Sequence, residues 1–86
     1  MRIDSDRLQS ATEAQTLIQL GNALRPLTKI ELRNAIQKVH RDAGLSEVER
    51  SLEKGQARGQ IKIAFVKRNK IYYMLDSSYT PPVPTY

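Results

Sequence analysis

The chain has no cysteine, no tryptophan, one histidine and five aromatic residues, four Tyr and one Phe, in 86 positions. Without Cys there is no disulfide framework and no thiolate metal site. His40, alone and without thiol neighbours, is a poor metal ligand and reads most simply as a residue at a helix C-terminus. Most catalytic constellations cannot be assembled from one His and no Cys. Gly55 and Gly59 lack the Lys-Ser/Thr continuation of a phosphate-binding loop. The carboxylates are scattered along the chain, not gathered where burial would raise a pKa. So few aromatics argue against a sheet that stacks RNA bases, which leaves RNA or single-strand binding as the weakest binding option. No apolar run approaches the ~20 residues of a membrane span. Met1 to Arg7 has no apolar stretch behind its charges, so it is not a signal peptide. The expectation is a soluble intracellular protein of the cytoplasm, nucleoid or nucleus. It has no membrane partner, metal, cofactor or enzymatic activity.

What remains is a small domain with an excess of positive charge. The hydrophobic share is 40% and the formal charge +5. That share suffices for one core and is too high for a disordered chain. The charge invites an anionic partner. Residues 1–27 and 77–86 are neutral overall, residues 28–59 carry a net +2 and residues 60–76 a net +3. The excess therefore belongs to the middle and C-terminal parts of a fold, not to a basic tail.

Three Ser/Thr residues are followed three positions later by Glu: Ser10…Glu13, Thr28…Glu31 and Ser46…Glu49. Each matches a capping box, in which the cap oxygen accepts from the N3 amide and the Glu reaches back. They predict helices over about Ala11–Leu24, Lys29–Arg41 and Glu47 to Gly55 or Arg58. The expected buried stripes are Ala14, Leu17, Ile18, Gly21 and Leu24 on the first helix and Ile30, Leu32, Ala35, Ile36 and Val39 on the second. Val48, Leu52 and Gly55 form the stripe on the third. Asp42-Ala43-Gly44 is a turn in which Gly44 suits a left-handed conformation.

After Gly59 the period changes from helical to alternating, and residues 61–75 read as a β-hairpin around Lys67-Arg68-Asn69-Lys70. A two-residue turn at Arg68-Asn69 puts Phe65 on the face of Tyr72. A three-residue turn gathers Ile61, Ile63, Phe65, Ile71, Tyr73 and Leu75 on one face and is favoured for its cleaner separation. The other face, with Ala64, Val66, Tyr72 and Met74, is too apolar to be fully solvated.

Several segments together resemble a winged helix-turn-helix domain: Leu27-Thr28-Lys29-Ile30-Glu31-Leu32, Gly44-Leu45-Ser46-Glu47-Val48, Leu52 through Gly59-Gln60-Ile61, and Ile71-Tyr72-Tyr73-Met74-Leu75. The resemblance covers residues 11–76 and implies an α+β fold of three helices followed by a C-terminal hairpin wing. Residues 1–10 are then a flexible lead-in and 77–86 a Pro-rich tail or linker. It also implies binding of double-stranded DNA by a small transcriptional regulator. The third helix, about 46–58, would lie in the major groove and the wing tip, 67–70, on backbone or minor groove.

On that reading the nucleic-acid-binding residues are Ser46, Glu47, Arg50, Ser51, Lys54 and Arg58 on the helix and Lys67, Arg68, Asn69 and Lys70 on the wing. Arg50, Lys54 and Arg58, four apart, would align on one side of a continuing helix. An ordinary solvated face explains that row equally well, and a soluble turn that blunts edge pairing would explain the basic tip. Glu47 is open to accepting from cytosine or to pairing with Arg50. The acidic Glu47, Glu49 and Glu53 suit the alternative function, a protein-interaction module within a larger assembly. The first helix, the second hairpin face and the Tyr-rich tail are candidate homodimer surfaces.

Overall fold

The computed structural model describes residues 5–80. Its elements are α1 (Ser5–Asn22), α2 (Lys29–Gln37), α3 (Leu45–Ala57), β1 (Ile61–Lys67) and β2 (Lys70–Leu75). The order is that of a small α+β winged helix: three helices, then an antiparallel hairpin. The core is Leu20, Leu32, Ile36, Ala43, Val48, Leu52 and Ile61, with Leu8, Leu17, Leu27, Tyr73 and Leu75 packed around it.

The expected helix starts fare differently. Thr28 and Glu31 form the complete capping box of α2. The Glu31 N–H donates to Thr28 Oγ1 at 3.2 Å, and the Thr28 N–H donates to Glu31 Oε1 at 3.0 Å. The first helix begins at Ser5, not Ala11, so Ser10 lies inside it and caps nothing. Residues 5–10 are thus helical instead of a lead-in. At α3 the cap is Gly44, whose N–H donates to Glu47 Oε1 at 2.7 Å. Glu47 at N3 takes the role assigned to Glu49. Gly44 is extended (φ −100°), not left-handed.

The left-handed glycine is Gly59 (φ +71°). Its N–H bonds the Gln56 carbonyl and the next N–H, of Gln60, bonds the Gly55 carbonyl. This paired pattern closes the α3 C-terminus and turns the chain into β1. Ile61 then packs directly on Gly55, where an added Cβ would lie 2.7 Å from Ile61 Cγ1.

Of the stripe predicted for α1, Leu17 packs against the core but the fully buried positions are others. Leu24 lies beyond the helix and is fully exposed, and Ala14 is exposed. Gln9, Thr12, Thr16 and Leu20 point inward instead. The Thr12 and Thr16 hydroxyls donate to the carbonyls of Leu8 and Thr12, at 2.7 and 2.8 Å, which satisfies them and leaves their methyls to pack. Helix α2 ends at Gln37, short of Arg41. Val39 and His40 both bond back to the Ile36 carbonyl, Gln37 Nε2 donates to the Ala43 carbonyl at 2.7 Å, and Val39 is exposed.

Of the two hairpin registers weighed from the sequence, that of the two-residue turn is present at the tip. Near the tip Lys67 pairs with Lys70, Val66 with Ile71 and Phe65 with Tyr72, around a two-residue turn. Arg68 (φ 51°) and Asn69 (φ 63°) are both left-handed, as a type I′ turn requires. Near the base Ile63 pairs with Tyr73 and Ile61 with Leu75, one residue out of step with the tip; these four share a face as the longer turn would have it, but that turn would pair Ile63 with Leu75. The extra residue is Ala64, where a bulge shifts the ladder. The three-residue turn is therefore incorrect. The bulge places Val66, not Phe65, beside Ile71, while Phe65 stacks on Tyr72 on the other face at a centroid distance of 4.7 Å. Leu27 adds a bridge to the outer edge of β2, exchanging bonds of 3.0 and 2.8 Å with Tyr73. That contact ties the wing to the entry of α2.

Beyond the hairpin, the Asp76 carboxylate accepts from the Ser78 N–H and hydroxyl, and Asp76 N–H bonds the Gln60 carbonyl. Of the tail expected at 77–86, residues 81–86 lie outside the described residues, as do residues 1–4 of the lead-in.

Candidate nucleic-acid interface

With about 3.6 residues per turn, burying Val48, Ser51, Leu52 and Gly55 turns the opposite side of α3 outward. That side is Ser46, Arg50, Glu53 and Ala57, all exposed. Ser46 and Arg50 stand where the sequence reading needs them, and Arg50 has no ion-pair partner among the described residues. The other four helix candidates are engaged elsewhere.

Ser51 is only 3% exposed. Its hydroxyl donates to the Glu47 carbonyl at 2.8 Å and accepts from the Gln9 side chain at 3.0 Å, which fastens α3 to α1. It cannot reach a ligand and leaves the candidate set. Glu47 is occupied as the N-terminal carboxylate of α3, where helix polarity favours it.

Lys54 and Arg58 turn toward α1 and share one carboxylate. Lys54 Nζ lies 3.1 Å from Glu13 Oε2, and Arg58 Nη1 lies 3.4 Å from Glu13 Oε1. Burial pushes the Glu13 carboxyl up. Hydrogen bonds from Lys54 and Gln9 and the charges of Lys54 and Arg58 outweigh it and hold the group below the usual range. The row of three cations exists, but two of its members are partly neutralised. Sequence reasoning gave Glu13 a capping role because its partners lie more than forty positions away and leave no local signal.

A second link was also missed. Lys29 Nζ lies 2.6 Å from Glu49 Oε2, joining the start of α2 to the flank of α3. Arg25 forms a two-pronged pair with Glu31, with contacts of 2.7 and 3.2 Å. The Arg25 guanidinium, and then the Thr28 N–H, bring the Glu31 carboxyl down to about 2.

The wing tip differs from the helix. Lys67, Arg68, Asn69 and Lys70 are all exposed, and none of the three cations has an ion-pair partner among the described residues. The type I′ turn holds them at the apex of a braced hairpin. Among the described residues this is the densest group of free positive charge in the molecule.

No protein-family model matches the chain, and no curated protein does. Solved structures do match. The Vibrio cholerae ferric uptake regulator superposes with a TM-score of 0.68 at 17% identity, over 87% of this chain and 63% of that one. The ferric uptake regulator from Pseudomonas aeruginosa, solved with manganese, gives 0.67 at 19% identity, over 90% and 63%. The regulator from Francisella tularensis, solved with iron, gives 0.67 at 14% identity, over 93% and 57%. At these identities the likeness is one of fold, and this chain spans about three-fifths of each neighbour's length.

Proposed function

We propose that the chain is a DNA-binding protein, a small transcription regulator rather than an enzyme, that holds duplex DNA between the exposed side of α3 and the wing tip. The observation that carries this reading is the group of three unpaired, exposed cations, Lys67, Arg68 and Lys70, on a turn of fixed shape. Each is free to meet a phosphate oxygen or a narrow minor groove, and no internal pair must break first. Support also comes from the fold, which is that of the ferric uptake regulators. One of them is described as rearranging its DNA-binding domains.

The work on α3 is narrower than its sequence suggests. Ser46 and Arg50 face outward, and an outward Arg is the side chain best suited to a guanine edge. Lys54 and Arg58 contribute only as far as Glu13 releases them. The wing supplies affinity, and the first half of α3 supplies whatever base reading there is.

Fluorescence anisotropy with a labelled duplex tests this. Binding should weaken steeply with added salt, and Arg68→Glu should weaken it further and flatten the logarithmic salt slope by about one unit or more. A salt-insensitive complex, or one indifferent to Arg68→Glu, contradicts the proposal. A protein-interaction module is the second reading, favoured by the exposed Glu49 and Glu53 on α3. It predicts a partner that stays bound at salt concentrations that dissociate duplex DNA.

A further inference from the structure

A cleft of about 330 Å³ opens between the first turn of α2 and the tip half of β2. Its walls are chiefly apolar. Ile30 and Ile71, both about 40% exposed, line it together with Tyr72 and Tyr73. Volumes of ~300–1,000 Å³ are typical of small-molecule sites, so this one has room for one or two fused rings.

Its polar groups are few and specific. The Tyr73 N–H and carbonyl point away from β1, to Leu27. Alternation along a strand turns those of Ile71 the same way, toward the cleft. No backbone partner receives them among the described residues. A wall of β2 therefore offers one free donor and one free acceptor beside apolar surface. Of the three charged residues lining the cleft, Lys29 is paired with Glu49 and Glu31 with Arg25. Lys70 is the one left unpaired, so the lining has one uncompensated positive charge.

We infer that this cleft is a binding site for a small planar aromatic monoanion, such as an aryl carboxylate. The ring lies against Ile30, Ile71 and the tyrosines. The carboxylate accepts from the Ile71 N–H and the Lys70 ammonium. A peptide strand fits less well, because only one backbone donor–acceptor pair is free and the volume is small. A neutral aromatic lacks a group for Lys70. The inference shares Lys70 with the nucleic-acid reading, but no DNA is needed to form or to test the site.

The test is an amide-shift NMR titration of the full chain with naphthoate, alongside the neutral naphthamide. Naphthoate should produce saturable shifts at residues 28–31 and 69–73, with the Ile71 amide moving most, and should bind about tenfold more tightly than naphthamide. Lys70→Ala should remove that tenfold preference and leave naphthamide binding unchanged. Lys70→Arg should restore it, which separates charge from any local disturbance of the turn. Absence of saturable shifts in the cleft, equal affinity for acid and amide, or a preference that survives Lys70→Ala each overturns the inference.

Discussion

At the scale of single residues, one of the three four-residue capping boxes spelled in the sequence forms as written, while Ser10 falls inside α1 and Gly44 with Glu47 displaces Ser46 with Glu49. Thr28 and Glu31 form that one, with both partners inside the same four residues. Thr28→Ala should lower stability by about 1 kcal/mol, the usual cost of a lost side-chain cap, measured by urea denaturation. Ser51 and Glu13 were misread for the opposite reason. Each is defined by residues about forty positions away, and helical spacing alone cannot say that α1 lies against that side of α3. Glu13 also makes a functional prediction. Glu13→Gln keeps the side chain's size and releases Lys54 and Arg58. The variant should bind duplex DNA more tightly at low salt, with a steeper salt dependence, in the anisotropy assay. If wild type binds and Glu13→Gln binds no better, Lys54 and Arg58 play no part in the contact.

At the scale of elements, the three-helix and hairpin order was legible because period and capping change together along the chain. The polar stripe of α1 was not. Threonines that bond their own helix count as polar in a pattern yet pack as apolar residues. The hairpin was ambiguous for a physical reason, since Ala64 adds one residue to a strand whose two halves obey different registers. Deleting Ala64 should leave every cross-strand pair intact and give a regular two-residue hairpin. Cross-strand nuclear Overhauser contacts between Phe65 and Tyr72, and between Ile63 and Tyr73, check this. Gly55→Ala should destabilise the fold. Crowding Ile61 costs ~1–3 kcal/mol, against a helix-propensity gain of ~1 kcal/mol, so thermal unfolding should occur at a lower temperature.

At the scale of the whole molecule, the division of charge along the chain located the wing correctly as the most basic region. It could not reveal which of the other cations folding pairs off. Arg25, Lys29, Lys54 and Arg58 all meet carboxylates, while the hairpin tip keeps its three cations unpaired among the described residues. The same pairs set the response to acid. Glu31 has its carboxyl brought from an ordinary 4.5 down to about 2. Its stabilisation is present in full above about 4.5 and is lost as pH falls toward 2, because the unfolded chain takes up the proton first. Glu13 and Asp76, also lowered, act in the same sense. The melting temperature should therefore fall between pH 4.5 and 2, and Glu31→Gln should make that fall shallower.

The central claim is that the wing tip and the first half of α3 form one DNA-binding surface. A titration of the isotopically labelled protein with a random-sequence duplex, at low and raised salt, tests it most directly. The account predicts salt-reversible amide shifts at residues 46–50 and 67–70, with the far side of α1 unmoved. A protein whose spectrum is unchanged by duplex at low salt, or whose shifts avoid the wing, would contradict it.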